Sequence, residues 1–229
     1  MPKLSIIIPA YNEKNTLLRI LAKIDQVRLP WEKEIILVDD GSTDGSREII
    51  AGLPDRYAKL YHERNQGKGA GIHSGLKLAS GDYVIIQDAD LEYDPEDYLP
   101  LIAALDEGHP VVFGSRNLAA NPRFSFPYYY GGRAVTWLAN LLFGSRLTDV
   151  NTCYKLIPTA LLKSLHLEQD RFSFCEEVAA KLLRQGIKIK EVPISYFPRQ
   201  IAEGKKIRLS DGINAFWTLL KYRFKKTTN

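Results

Sequence analysis

Through the first 115 residues, short β-branched runs at 4–8, 34–38, 60–63, 83–87 and 111–114 alternate with longer segments of helical period. That alternation is the pattern of parallel strands joined by crossover helices. It restricts the fold more than any other feature, because strands paired in parallel are covered on both faces. The helix starts agree with it. Ser42 or Thr43 can cap a helix over 44–50, and Asp94-Pro95-Glu96 supplies an N-cap, a proline at the first helical position and an acid in the first turn. From about 117 the alternation stops. The stretch 122–133, rich in proline, aromatics, glycine and arginine, reads as a mobile loop, and 135–143 as a short apolar helix. A further helix fits 176–185, ended by Gly186, and a strand fits 187–192 before Pro193. The expected fold class is α/β, a mostly parallel sheet flanked by helices in one domain over 1–199, with a basic amphipathic helix in the segment 200–229.

Of the 229 residues, 45% are apolar and 25% charged, the usage of a folded globular body rather than a disordered chain. Cys153 and Cys175, the only cysteines, are too few for a disulfide framework and lack metal-type spacing; a reducing compartment is expected, and neither needs a chemical role. The N-terminal apolar run is interrupted by Pro9 and carries no cleavage site, so it reads as a strand and not a signal peptide. The stretch nearest to a membrane span, 134–144 between Arg133 and Arg146, falls short of the roughly 18 to 20 residues a bilayer requires. These features point to a cytoplasmic chain. The formal charge of +4 is unevenly placed, since from Arg199 onward eight Lys or Arg stand against only Glu203 and Asp211. Such a segment suits nucleic acid, anionic lipid or a phosphorylated substrate, or is simply solvated.

In open α/β sheets ligands bind beyond the C-terminal ends of the strands. Here Tyr11-Asn12-Glu13 follows the first strand, Asp39-Asp40-Gly41-Ser42 the second and Asp88-Ala89-Asp90 the fourth, so three strands point acids at one rim. The glycine-rich stretch from Asn65 to Gly75 invites a nucleotide motif, but the usual two fail. A P-loop needs Ser or Thr after Gly-Lys, and Lys68 is followed by Gly69; a dinucleotide fingerprint counted from Gly67 puts Ile72 where its last glycine belongs. What remains is either a glycine-rich helix start or a phosphate or sugar contact, with Lys68 at a helix N-terminus favouring an anion. Asp88-Ala89-Asp90-Leu91-Glu92 would gather three carboxylates, a costly arrangement without compensation. A hard cation such as Mg²⁺ or Mn²⁺ supplies it, binding through one or two carboxylates and substrate phosphates.

Read together, Pro9-Ala10-Tyr11-Asn12-Glu13, Val38-Asp39-Asp40-Gly41-Ser42-Thr43-Asp44, Gly67-Lys68-Gly69 and Asp88-Ala89-Asp90 resemble family 2 glycosyltransferases of the Rossmann-like GT-A fold. The resemblance continues through Gly114-Ser115-Arg116, Asp149-Val150-Asn151-Thr152-Cys153-Tyr154-Lys155 and Glu191-Val192-Pro193-Ile194-Ser195-Tyr196, nearly the whole chain. Within the family it is nearest to dolichol-phosphate mannose synthases and their bacterial polyprenyl-phosphate relatives. It implies a nucleotide-sugar half over about 1–115 and an acceptor half over about 116–199.

The resemblance further implies that Pro9, Tyr11 and Glu13 line the nucleoside site, that Asp40 hydrogen-bonds the base, and that Asp88 and Asp90 hold the metal on the diphosphate, with Lys68 nearby. Where the mannose synthases usually carry glutamine this chain has Glu92, a third and anionic ligand that leaves the preferred metal open. Arg116 and Arg133 match arginines near the acceptor phosphate, a role suited to bidentate guanidinium bonding. Glu177 matches a helix-borne acid near the acceptor, and Glu176 beside it would face elsewhere on the helix. The expected reaction is inverting transfer of a hexose from a nucleoside diphosphate, of the GDP-mannose or UDP-glucose type, to a polyprenyl phosphate. Transfer to a hydroxyl in cell-envelope glycan synthesis, a non-catalytic sugar-nucleotide module and a nucleotidyltransferase are the rivals. Peripheral membrane contact through the C-terminal segment is expected, from Phe216, Trp217, Leu219, Leu220, Tyr222 and Phe224 beside Lys221, Arg223, Lys225 and Lys226, and no nucleic-acid partner.

Overall fold

The computed structural model describes residues 1–122, 126–199 and 209–225. The hydrophobic runs form β1 (Lys3–Ala10), β2 (Glu32–Asp39), β3 (Tyr57–Tyr61), β4 (Tyr83–Ile86) and β5 (Val111–Ser115). Leu4, Ile6, Ile7, Ile8, Ile36, Leu37 and Val38 are fully buried, which is why these segments read as continuous apolar runs rather than alternating ones. Only β3 lies clearly upstream of its expected place; it is an edge strand with three half-buried positions, so its period is weak.

Between the strands run α1 (Leu17–Gln26), α2 (Ser46–Ala51), α3 (Lys68–Leu78) and α4 (Tyr98–Asp106). Leu17, Ile20, Leu21 and Ile24 put the buried stripe of α1 at helical spacing against the sheet. Asp94 accepts from the Glu96 amide at 3.2 Å and Pro95 opens the short 3₁₀ turn before α4, as expected. The cap expected for α2 is corrected: Gly45 takes that place in a left-handed conformation, and Asp44, not Ser42 or Thr43, accepts from the Ser46 amide.

The second half contributes α5 (Phe126–Phe143), β6 (Lys155–Pro158), α6 (Thr159–Ser164), α7 (Phe174–Arg184), β7 (Ile189–Pro193) and α8 (Leu209–Phe224). One sheet runs in the order β3-β2-β1-β4-β6-β5-β7. Every pairing is parallel except those of β6, which lies antiparallel to both β4 and β5. The sheet therefore leaves β1 toward β2 on one side and β4 on the other, and a crevice opens above the ends of these three neighbours.

Two differences from expectation concern the second half of the chain. The segment 122–133 is not one loop, because α5 begins at Phe126 and carries Arg133. Tertiary packing outweighs the poor helix propensity of its glycines: α5 packs on α7 and α8, and Asn151 Nδ2 donates to the Gly132 carbonyl at 2.9 Å. The C-terminal helix also divides its side chains. Ala215, Thr218, Leu219 and Tyr222 are buried, while Ile213, Trp217 and Phe224 are exposed. Lys226 and the basic residues of 200–208 lie outside the described residues. No helix of the described residues is long and apolar enough to cross a membrane.

Candidate active site

Three loops at the crevice are tied to one another. Asn12, held at a positive φ of 53°, donates its backbone amide to Ser42 Oγ at 3.0 Å and accepts from the Thr43 amide at 2.8 Å, joining the ends of β1 and β2. Glu13 lies beneath, its amide donating to Ser46 Oγ at 2.8 Å and one carboxylate oxygen accepting from Thr16 Oγ1. Pro9 packs against α3, where a Cβ on Gly71 would come within 3.1 Å of it. Tyr11 sits half-buried at the same rim.

Asp40, expected to hydrogen-bond the base, is engaged within the chain. It is 3% exposed and accepts from the amides of Gln66 and Gly67 at 2.9 and 2.8 Å and from His62 Nδ1 at 2.7 Å. Its carboxylate shapes the turn that leads into α3. The glycines of that turn are explained by close approach: a Cβ on Gly67 or Gly69 would collide with the Asp170 or Gln169 carbonyl oxygens, and the Ala70 amide donates to Asp170 O. With Gly67 at φ 108°, the turn admits only a residue free of that strain.

Lys68, the first residue of α3, reaches across the crevice to Asp88 Oδ1 at 2.5 Å and to Cys153 Sγ at 2.9 Å. Burial works against both charges, but each partner outweighs it, so Lys68 is held above and Asp88 below its ordinary pKa. The Asp88 backbone is fixed by Gln87, whose amide donates to its carbonyl and whose Oε1 accepts from Tyr98 and Tyr154. Leu91 then takes φ 64°, rare for a side chain of its kind and a form of strain that clusters at functional turns.

That turn directs Asp90 back to the crevice. Its Oδ1 accepts from the Glu92 amide at 3.0 Å and its Oδ2 from Arg199 at 3.0 Å. Burial, then the neighbouring charges of Asp88 and Glu92, push Asp90 up to about 7. Glu92 is 7% exposed and accepts from Tyr196 Oη at 2.6 Å and from the Arg199 amide at 2.9 Å. It is therefore engaged from the β7 side, and no cluster of three acidic, histidine or cysteine side chains closes on a single ion among the described residues. Asp88 and Asp90 still fit a hard cation, which takes one or two carboxylates and draws its other oxygens from phosphate and water.

Arg116 is half-buried and committed to a partner within the chain. It forks onto Asp149 at 2.7 and 2.8 Å, and its guanidinium lies 5.0 Å from the Tyr196 ring. Asp149 is in turn set by Glu191, which accepts the Thr148 and Asp149 amides. Arg133 stands apart, exposed on α5 with its guanidinium 5.9 Å from the Tyr129 ring.

The two acids of α7, Glu176 and Glu177, have different surroundings. Glu177, expected near an acceptor, is completely buried and accepts from the amides of Glu168 and Gln169, with Lys181 Nζ at 2.7 Å, so it anchors the 168–170 loop. Glu176 keeps a buried oxygen without a partner among the described residues. Burial first, then Cys175, pushes it up to about 8, offset by Lys155 and Arg116. Adjacent helical residues point about 100° apart, and sequence offered no means of choosing between these two.

Sequence reading missed Arg199 and Cys153 as members of the site. Arg199 was visible only as one charge of a basic segment, and Cys153, though inside the matching segment Asp149 to Lys155, is a residue to which the resemblance assigned no role.

A crossover sheet with an Asp-x-Asp turn beside its central strand and a single antiparallel strand in its second half defines the class of GT-A glycosyltransferases. The chain belongs to glycosyl transferase family 2, whose profile matches residues 5–156. It is 30% identical over 207 residues to an undecaprenyl-phosphate 4-deoxy-4-formamido-L-arabinose transferase of Edwardsiella ictaluri, covering 88% of this chain and 62% of that protein. It is 35% identical over 129 residues to a dolichol-phosphate mannosyltransferase of Pyrococcus furiosus, covering 56% of this chain and 37% of that one. The chain thus spans less than two thirds of the length of these relatives. Glucosyl-3-phosphoglycerate synthase of Mycobacterium tuberculosis, solved with Mn²⁺, UDP and phosphoglyceric acid, shares the fold with a TM-score of 0.74 at 20% identity, over 99% of this chain and 80% of that one.

Proposed function

We propose that this chain is an inverting glycosyltransferase that moves a hexose from a nucleoside diphosphate to a polyprenyl phosphate at a membrane surface. The observation that carries the reading is the Asp88-Ala89-Asp90 turn after β4, with Lys68 paired to Asp88 and Arg199 to Asp90 at the rim of the sheet. The relatives named for undecaprenyl and dolichol phosphate support the acceptor class. Residues up to about 115 would take the nucleotide sugar and 116–199 the acceptor.

Asp88 and Asp90 would hold Mg²⁺ or Mn²⁺, which supplies neutralisation of charge on the leaving diphosphate. Lys68 places a fixed ammonium beside the same charge, and its position costs nothing to organise at the moment of reaction. Pro9, Tyr11 and Glu13 form the wall of the nucleoside side. Arg133 is the exposed guanidinium left to meet an anionic acceptor, with Arg116 fixing the floor through Asp149. Glu176, neutral below about pH 8, does not repel such an acceptor. A phosphate attacks without a general base, whereas a hydroxyl needs one.

Membrane contact is supported by apolar side chains left outside two helices that pack together. Helix α5 exposes Tyr130, Trp137 and Leu141, and α8 exposes Ile213, Trp217 and Phe224. At a membrane interface both the apolar ring and the N–H of a Trp are satisfied. The chain would act peripherally on the cytoplasmic face, with no nucleic-acid partner.

The test is a donor panel with Mg²⁺ or Mn²⁺, scored for nucleoside diphosphate release with and without a short-chain polyprenyl phosphate. Release that depends on the lipid phosphate is expected. Release of pyrophosphate, or turnover only with a saccharide hydroxyl, would overturn the reading.

A further inference from the structure

The acids at the crevice already carry a cation belonging to the chain. Arg199 follows β7 and turns its side chain into the rim, where 17% of it remains exposed. The guanidinium divides itself among three carboxylates. It meets Glu13 at 3.2 and 3.3 Å, donates to Asp90 Oδ2 at 3.0 Å, and its Nε lies 3.8 Å from Glu92 Oε1. That Nε is buried without a hydrogen-bond partner among the described residues.

The contrast with Arg116 is informative. Arg116 saturates one buried carboxylate at 2.7 and 2.8 Å, a geometry of permanent structure. Arg199 makes longer bonds to several partners and leaves one donor unmet, a geometry held by summed charge that a stronger charge can displace. The atom at issue is Asp90 Oδ2. Asp90 Oδ1 accepts from the Glu92 amide, and Arg199 occupies Oδ2, the oxygen left without a backbone donor. Lys68 contacts Asp88 in a comparable way but is tethered at the start of α3 and by Cys153, whereas Arg199 belongs to no helix or strand.

We infer that Arg199 is the resting counter-ion of this rim and must release Asp90 before a divalent cation can bind there, so that this guanidinium determines how tightly the bare ion is taken. The inference rests on the reading of Asp88 and Asp90 as the cation's carboxylates. It has an unusual consequence: removing a positive residue of the site tightens metal binding in the absence of nucleotide. A unit charge within hydrogen-bond distance opposes a second cation even where water screens it, and the buried position of these acids weakens that screening.

The experiment is Mn²⁺ binding to the full chain without nucleotide, by calorimetry and by the electron paramagnetic resonance signal of the free ion. The proteins are wild type, Arg199→Gln, Arg199→Met, Arg199→Lys, Asp90→Asn and the double variant Arg199→Gln with Asp90→Asn. Arg199→Gln and Arg199→Met should each bind Mn²⁺ about tenfold more tightly than wild type, or better, while Arg199→Lys, which keeps the charge, stays within about threefold. Asp90→Asn should weaken binding and erase the gain in the double variant. If neither neutral variant gains affinity while Asp90→Asn still weakens it, the counter-ion role is overturned and the cation site stands. If Asp90→Asn binds Mn²⁺ as wild type does, the cation site itself is wrong and the inference falls with it.

Discussion

Asp40 offers a decisive perturbation, because the resemblance to the family gives it a base to recognise and the structure gives it a turn to hold. Asp40→Ala strips three hydrogen bonds at once, from the Gln66 amide, the Gly67 amide and His62 Nδ1. Bonds to a charged acceptor are worth about 1.5–3 kcal/mol each where the donor is left dry. The His62 bond is buried and counts in full, and the two amides lie in a half-exposed turn where water replaces much of the loss. Together they amount to about 3 kcal/mol. In a chain of this size 1 kcal/mol moves the melting temperature by about 2–4 °C, so a fall of about 6–12 °C is expected. Thermal unfolding by circular dichroism measures it directly, beside nucleotide binding by calorimetry. A melting temperature within about 2 °C of wild type together with a large loss of nucleotide affinity would refute the structural role and restore the base contact.

Other consequences follow from the acids of α7 and the outer helices. Glu177→Gln should lower stability by about 2–3 kcal/mol in urea unfolding, since it weakens the acceptor of the Glu168 and Gln169 amides and unpairs Lys181, yet leave turnover with a polyprenyl phosphate within about tenfold. A stable variant that is nearly inactive would place Glu177 at the acceptor after all. Glu176 holds its proton up to about 8 in the folded chain against 4.5 in the unfolded one. Wild-type stability should therefore be greatest at or below pH 4.5 as far as this group is concerned and decline as pH rises to 8, by at most about 5 kcal/mol. Glu176→Gln should flatten that decline, and parallel pH curves for the two proteins would show that Glu176 ionises normally. In vesicle co-sedimentation, replacing Trp137 and Trp217 by serine should reduce binding to anionic vesicles without unfolding the chain, whereas equal sedimentation of both proteins would remove these helices from the interface.

The strands that the sheet buries on both faces can be read without the fold. β1, β2, β4 and β5 are legible because burial on two sides permits only apolar, largely β-branched residues, and no distant information is needed to see that. The rim is legible too, since acids following three strands of such a sheet must meet at one edge, and β2, β1 and β4 are indeed neighbours. Other elements depend on contacts that no local pattern records. The four residues of β6 are strand only because β4 and β5 flank them, and α5 begins where it does because α7 and α8 cover it. The choice between Glu176 and Glu177 depends on helix phase relative to a loop elsewhere in the chain. Arg199 reaches Asp90 across 109 positions of sequence, and Lys68 reaches Cys153 across 85. Side chains so far apart are brought within hydrogen-bond distance only by closing the sheet, and the charge they place on the carboxylates is therefore a property of the fold and not of any motif.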